Sequence, residues 1–116
     1  MMTCGTDLIH LPGFGERVKN PDFLNRSFTA HELSEARGSA RKLAGIFCVK
    51  EAFFKASGAK IKRWADLEVY RDEAGRPRIR FSSEDLPNAP ISVDCSISHD
   101  GDYVLGFVVI EFAEKG

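Results

Sequence analysis

The stretch Phe47-Cys48-Val49-Lys50-Glu51-Ala52-Phe53-Phe54-Lys55-Ala56 decides the reading of this chain. It lies in a run that Ser39 can cap at its start and Gly58 can stop, so a helix is predicted from Ser39 to about Ser57. Its positions are largely apolar apart from Glu51 and Lys55, which stand one turn apart and so share a face. Set among phenylalanines and small residues, that carboxylate and ammonium would lie partly out of water, where metals and phosphates are bound. Two signals elsewhere point the same way. An acid interrupts the first apolar strand, in Gly5-Thr6-Asp7-Leu8, and a histidine closes a late strand, in Ser96-Ile97-Ser98-His99.

Outward from the helix, residues 3–11 read as a first strand, broken by Pro12-Gly13-Phe14-Gly15 and again at Asn20-Pro21. Thr29-Ala30-His31-Glu32 matches a capping box, in which hydroxyl and carboxylate satisfy exposed N–H groups, so a short helix should follow and stop near Gly38. The second half changes period. Leu67 and Val69 alternate with polar neighbours, a turn follows at 72–75, and Ile79 and Phe81 alternate with arginines. Ile91, Val93, Cys95 and Ile97 alternate with Ser92, Asp94, Ser96 and Ser98 before the hairpin chemistry of Asp100-Gly101 and a strand over 103–112. A strand, then helices, then antiparallel strands specify an α+β fold, with an antiparallel sheet packed against the long helix.

A chain of 116 residues, 43% apolar and 28% charged, reads as one globular domain spanning 1–116. A net charge of −1 gives no argument for nucleic acid or membrane as partner. Basic residues do cluster locally, at Lys60, Lys62 and Arg63 and at Arg76, Arg78 and Arg80. The three cysteines, Cys4, Cys48 and Cys95, are far apart and form no CxxC, which argues against a disulfide framework or a zinc site and for a reducing cytoplasm. The N-terminus shows no signal-peptide pattern, and no stretch is long and apolar enough to span a bilayer.

Taken singly, the polar residues are ordinary. Asp7 needs a cation, N–H donors or a place at the sheet end; Glu51 and Lys55 could be a solvated pair, and His99 a turn residue. Taken together they suit phosphoryl-type transfer. Magnesium takes one or two carboxylates and completes its shell with water and substrate phosphate; Asp7 and Glu51 supply that number, while Lys55 and His99 supply donors for phosphate oxygens. The sequence contains neither a Walker motif nor GxGxxG.

The order of motifs resembles the holo-acyl-carrier-protein synthases, the small group of the 4′-phosphopantetheinyl transferases. It runs through Gly5-Thr6-Asp7-Leu8-Ile9, Phe23 to Thr29 with Glu32-Leu33, Leu43 to Phe47, Lys50-Glu51-Ala52 with Lys55-Ala56, then Trp64, Asp66 to Val69, Gly75-Arg76-Pro77 and Ser96 to His99. The resemblance implies a homotrimer with coenzyme A in clefts between subunits, and magnesium on Asp7 and Glu51. A serine of apo acyl carrier protein attacks the β-phosphate and 3′,5′-ADP departs. Glu51, directly or through a metal-bound water, is the implied base, and Lys55 neutralises or protonates the leaving group. Ser98 and His99 contact the nucleotide end, and Gly75 and Pro77 lie near the adenine. The carrier's pathway stays open between fatty acid, polyketide and peptide synthesis.

The chain departs from that pattern at Ile46, where an arginine is expected, at His10, where a glutamate is expected, and in Ser57-Gly58-Ala59-Lys60, which replaces a GTG-type loop. Lys60, Lys62 or Arg63 could restore the charge near the nucleotide phosphates. Arg17, Lys19 and Arg26 could meet the carboxylates of an acidic carrier. The competing expectation is a non-catalytic trimeric relative that binds coenzyme A or carrier without turnover.

Overall fold

Most alternating runs become strand and most capped apolar runs become helix, in a computed structural model that describes residues 1–84 and 86–114. The order is β1 (Met2–His10), α1 (Leu11–Arg17), α2 (Pro21–Ser27), α3 (Ala30–Ala36), α4 (Ala40–Ser57), a 3-10 turn (Trp64–Asp66), β2 (Leu67–Arg71), β3 (Pro77–Phe81), β4 (Pro90–Asp100) and β5 (Tyr103–Phe112). The strands form two antiparallel sheets rather than one: β1-β5-β4, and the hairpin β2-β3.

The caps behave as the sequence dictates. The Ser39 hydroxyl accepts from Lys42 N–H at the start of α4, and Gly58 ends the helix at φ 72°, a backbone that favours glycine. Both halves of the Thr29–Glu32 capping box are made. Three expectations need correction. Pro12-Gly13-Phe14-Gly15 ends the strand but is itself helical, because Pro12 falls within the first turn, where a missing N–H costs nothing, and Phe14 buries into the core. Asn20-Pro21 likewise opens α2, with the Asn20 side chain accepting from Asp22 N–H. On β4 the alternation slips at its start. A register shift between Pro90 and Ser92 leaves Ile91 63% exposed, not inward.

Helix α4 lies across the three-stranded sheet with backbone nearly touching backbone. A methyl group on Gly5 would collide with the Ala52 carbonyl oxygen, and one on Gly106 would stand 2.6 Å from the Cys48 carbonyl carbon. Gly106 is the register partner of Asp7 on one side and of Ile97 on the other, so this close approach occurs beside Asp7. Apolar side chains bury on both flanks of the helix. Phe14, Phe23, Phe28 and Phe47 gather under α1 and α2, and Phe53, Val108, Ile110 and Phe112 gather toward β5 and the hairpin. Each such side chain contributes about 1.5–3 kcal/mol when fully buried.

Among the described residues one charge pair lies in this core. Lys50 Nζ is 2.5 Å from Glu32 Oε1, and neither side chain has any exposure. The ammonium also donates to the carbonyls of Ser27 (3.0 Å) and Trp64 (3.2 Å), while Glu32 accepts from the N–H groups of Thr29 (2.9 Å) and Val69 (2.7 Å). Burial draws Lys50 below the ordinary lysine pKa, against the pull of Glu32. The pair ties α2, α3, α4, the 3-10 turn and β2 at one point, and among the described residues no buried side-chain polar atom lacks a partner.

Candidate functional site

Asp7 faces α4 from the middle of β1, two residues beyond Gly5, and Lys55 comes down from the helix to meet it. Lys55 Nζ lies 3.3 Å from Asp7 Oδ1 and donates to the Thr6 carbonyl at 2.8 Å. The Asp7 side chain is 21% exposed, so the costly buried acid that its sequence context implied is instead a half-sheltered carboxylate with an ammonium partner. Its charge also reaches Cys48. Burial first, and Asp7 second, push that thiol up to about 12, so Cys48 is an inert core group that donates to the Val104 carbonyl.

Glu51 sits one turn before Lys55 on the same helix face, 17% exposed. Its carboxylate pairs with Lys62 of the following loop, Nζ to Oε2 at 3.2 Å, while Lys55 turns to Asp7. Of the Asp7, Glu51 and Lys55 of the sequence reading, Asp7 and Lys55 meet at the seam between β1 and α4, with Glu51 one helical turn away. Lys62, one of three cations placed near the nucleotide phosphates by that reading, stands on an acid here. Among the described residues no group of three or more His, Cys, Asp or Glu side chains is arranged to hold a metal ion, so a metal would rest on the two acids.

His99 lies across β5 from this seam, at the β4 edge. It lines a cavity of about 180 Å³ with Gly45, Ile46, Ile97, Arg41 and Arg71. Burial and then the charges of Arg41 and Arg71 hold the imidazole below the ordinary histidine pKa, favouring its neutral form. Arg71 connects the cavity to the hairpin by donating to the Gly75 carbonyl at 3.1 Å, and the Pro77 carbonyl accepts from the Cys95 thiol at 3.2 Å. Gly75 and Pro77 therefore belong to the His99 side of the molecule. Ser98, the register partner of Leu105, is exposed. Ile46 contributes an apolar wall to the cavity, and His10 rests against Tyr103 with ring centroids 5.0 Å apart.

Sequence reasoning missed Arg41 and Arg71. Only proximity to His99 marks them, and that proximity is made by the packing of β2 and β4 against α4. Arg17, expected to face a carrier, is exposed with its guanidinium 4.4 Å from the centre of the Phe23 ring.

The known proteins that this chain is similar to are consistent in kind. Residues 3–108 match the 4'-phosphopantetheinyl transferase superfamily. A holo-[acyl-carrier-protein] synthase of Chlorobium limicola is 34% identical over 121 residues, covering 94% of this chain and 93% of the relative. One from Geobacter sulfurreducens is also 34% identical, over 92% and 94% of the two chains. The ACPS–CoA complex of Chronobacterium ammoniagenes superposes with a TM-score of 0.87 at 29% identity, over 98% and 99% of the chains. The Helicobacter pylori holo-[acyl-carrier-protein] synthase in complex with coenzyme A gives 0.83 at 26%, over 93% and 99%. This chain belongs to the 4'-phosphopantetheinyl transferase superfamily. The resemblance read from its motifs is borne out, as are the α+β fold and the enzyme class, holo-[acyl-carrier-protein] synthase.

Proposed function

We propose that this chain, as one domain over residues 1–116, moves 4′-phosphopantetheine from coenzyme A to a serine of apo acyl carrier protein in a magnesium-dependent reaction. The observation that carries this reading is the meeting of Asp7 and Lys55 at 3.3 Å across β1 and α4, one turn from Glu51. Two half-sheltered carboxylates offer the oxygen ligands, in the number, that magnesium takes from a protein when substrate phosphate supplies the rest. A magnesium ion on Asp7 and Glu51 would draw charge from the pyrophosphate and fix it for in-line attack. The serine Oγ then forms a bond to the β-phosphorus while the bond to the bridging oxygen breaks. Glu51 takes the serine proton, and the Lys55 ammonium meets the charge left on 3′,5′-ADP.

The nucleotide end of coenzyme A would lie against His99 and Ser98, with Gly75 and Pro77 nearby. In one protomer Ser98 and His99 sit on β4, at the opposite sheet edge from Asp7, and Gly75 and Pro77 belong to the separate β2-β3 hairpin. A site drawn from two subunits resolves that separation, which supports a homotrimer. The sheet face away from α4 supports it too, since Leu8 is 59% exposed and Leu105 and Phe107 each 39%. Three unpaired thiols, and no helix among the described residues long and apolar enough to cross a membrane, accord with a cytoplasmic enzyme.

The test is to incubate the protein with coenzyme A, magnesium and apo carrier, and to weigh the carrier. A mass gain that disappears on chelation and in Asp7→Ala and Glu51→Ala is expected. Tight coenzyme A binding with no gain across several carriers would instead establish a binding module. Shared sites have their own signature: Asp7→Ala and His99→Ala proteins, each inactive, should recover part of the activity when unfolded and refolded together. Failure to recover it in mixed trimers would place the whole site in one subunit.

A further inference from the structure

Lys62, one of three cations expected near the nucleotide phosphates, is the one that the structure places on an acid of the site, and its position is specific. It extends from the loop between α4 and the 3-10 turn, whose far end is fixed where Lys50 Nζ donates to the Trp64 carbonyl at 3.2 Å. That anchorage keeps the loop beside Glu51. The two partners differ in environment: the Glu51 side chain is 17% exposed, and that of Lys62 is 54% exposed. A largely sheltered carboxylate is thus held by an ammonium that keeps much of its water and a flexible four-carbon stem. Lys55, which helix spacing would offer to Glu51, is engaged by Asp7 and the Thr6 carbonyl. Each acid consequently has its own ammonium, one from the helix and one from the loop.

We propose that Lys62 is a transferable counter-charge of this site, holding Glu51 in the free protein and passing to the oxygens of the incoming pyrophosphate. This inference rests on the reading of Asp7 and Glu51 as the acids that face the diphosphate. An ammonium and a divalent cation compete for the same Glu51 oxygens, so Lys62 weakens divalent binding to the protein alone. A phosphate oxygen offers the same ammonium a charge-assisted bond, so Lys62 strengthens coenzyme A binding. Its effects on the two ligands have opposite sign. An ordinary ion pair with no part in meeting phosphate would change divalent binding alone and leave coenzyme A binding as it was, and a residue that merely holds the loop in shape would alter both in the same direction.

The experiment uses Lys62→Ala with two direct binding measurements: Mn²⁺ on the protein alone, by electron paramagnetic resonance, and coenzyme A in the presence of Ca²⁺, by calorimetry. Mn²⁺ should bind about three- to tenfold more tightly and coenzyme A about three- to tenfold more weakly, the size of one half-exposed charge contact. Unchanged or weaker Mn²⁺ binding, or unchanged coenzyme A binding, overturns the role of Lys62. Asp7→Ala separates this from the broader reading. If Mn²⁺ binding persists undiminished in Asp7→Ala, the reading of the acids fails and Lys62 falls with it. If Asp7→Ala abolishes Mn²⁺ binding while Lys62→Ala changes nothing, Lys62 alone is excluded.

Discussion

Lys50 and Glu51 are neighbours in sequence and opposites in structure. Lys50 turns into the core, where it has no exposure and is joined to Glu32 and two backbone carbonyls. Glu51 stays within reach of water, 17% exposed, and is held by Lys62 on a loop. The buried pair has lost its hydration and satisfies four backbone groups, so neither partner can leave without stranding the other. The outer pair retains enough water to be exchanged for another ion. One turn of helix therefore carries both a fixed anchor and a replaceable contact, and the anchor also secures the loop from which the replaceable contact comes.

The sharpest way to break this comparison is to remove the anchor. Lys50→Met leaves Glu32 charged and buried, and should cost about 3–5 kcal/mol in guanidinium unfolding; a loss below about 1 kcal/mol would mean that water already reaches the pair. Next come the acids. Asp7→Ala and Glu51→Ala should each lower kcat/KM for carrier modification about 100-fold or more, with unfolding free energy changed by less than about 1 kcal/mol. Equal losses of stability and activity would make Glu51 a second anchor. The smallest effect is expected at Lys62, where Lys62→Ala should alter stability by no more than about 0.5–1 kcal/mol, measured at the same ionic strength as Lys50→Met.

His99 extends the comparison to the far edge of the sheet, where the charge environment is cationic. Its protonated form is disfavoured in the folded chain, so the group exerts no penalty above the ordinary histidine value of 6.5. The penalty appears as pH falls through 6.5 and is complete only below the lowered folded-state value. A histidine ring-proton titration by NMR should therefore give a midpoint below 6.5, and Arg41→Ala should move it upward. A downward movement would show that Arg41 does not act through its charge.

Much of this was legible in the residues. Ser39, Gly58 and the Thr29–Glu32 box act within a few positions of themselves, so local chemistry marked α3 and α4. The alternation of 91–97 marked β4, although Ile91 was misjudged because a register shift is set by the partner strand. Pro12 and Gly13 read as breakers because their neighbours could not reveal that Phe14 would be drawn into the core and close a helical turn. The meeting of Asp7 and Lys55 was legible through their motifs and spacing. The division of partners between Lys55 and Lys62 was not, since it depends on how the loop after Gly58 folds back. Lys50 carried its motif openly while its buried partner Glu32 was concealed behind a capping role that it also fulfils.

The glycines at 5 and 106 have a consequence for how such a chain can drift. Because α4 rests on main-chain atoms of β1 and β5, the gauge between Asp7 and the helix is set by peptide groups that every sequence shares. Exchanges among the surrounding phenylalanines and valines can alter the filling on either flank while that gauge is kept. Divergent descendants could thus rebuild most of their interior and inherit the spacing of the two acids unchanged, provided these two positions stay bare.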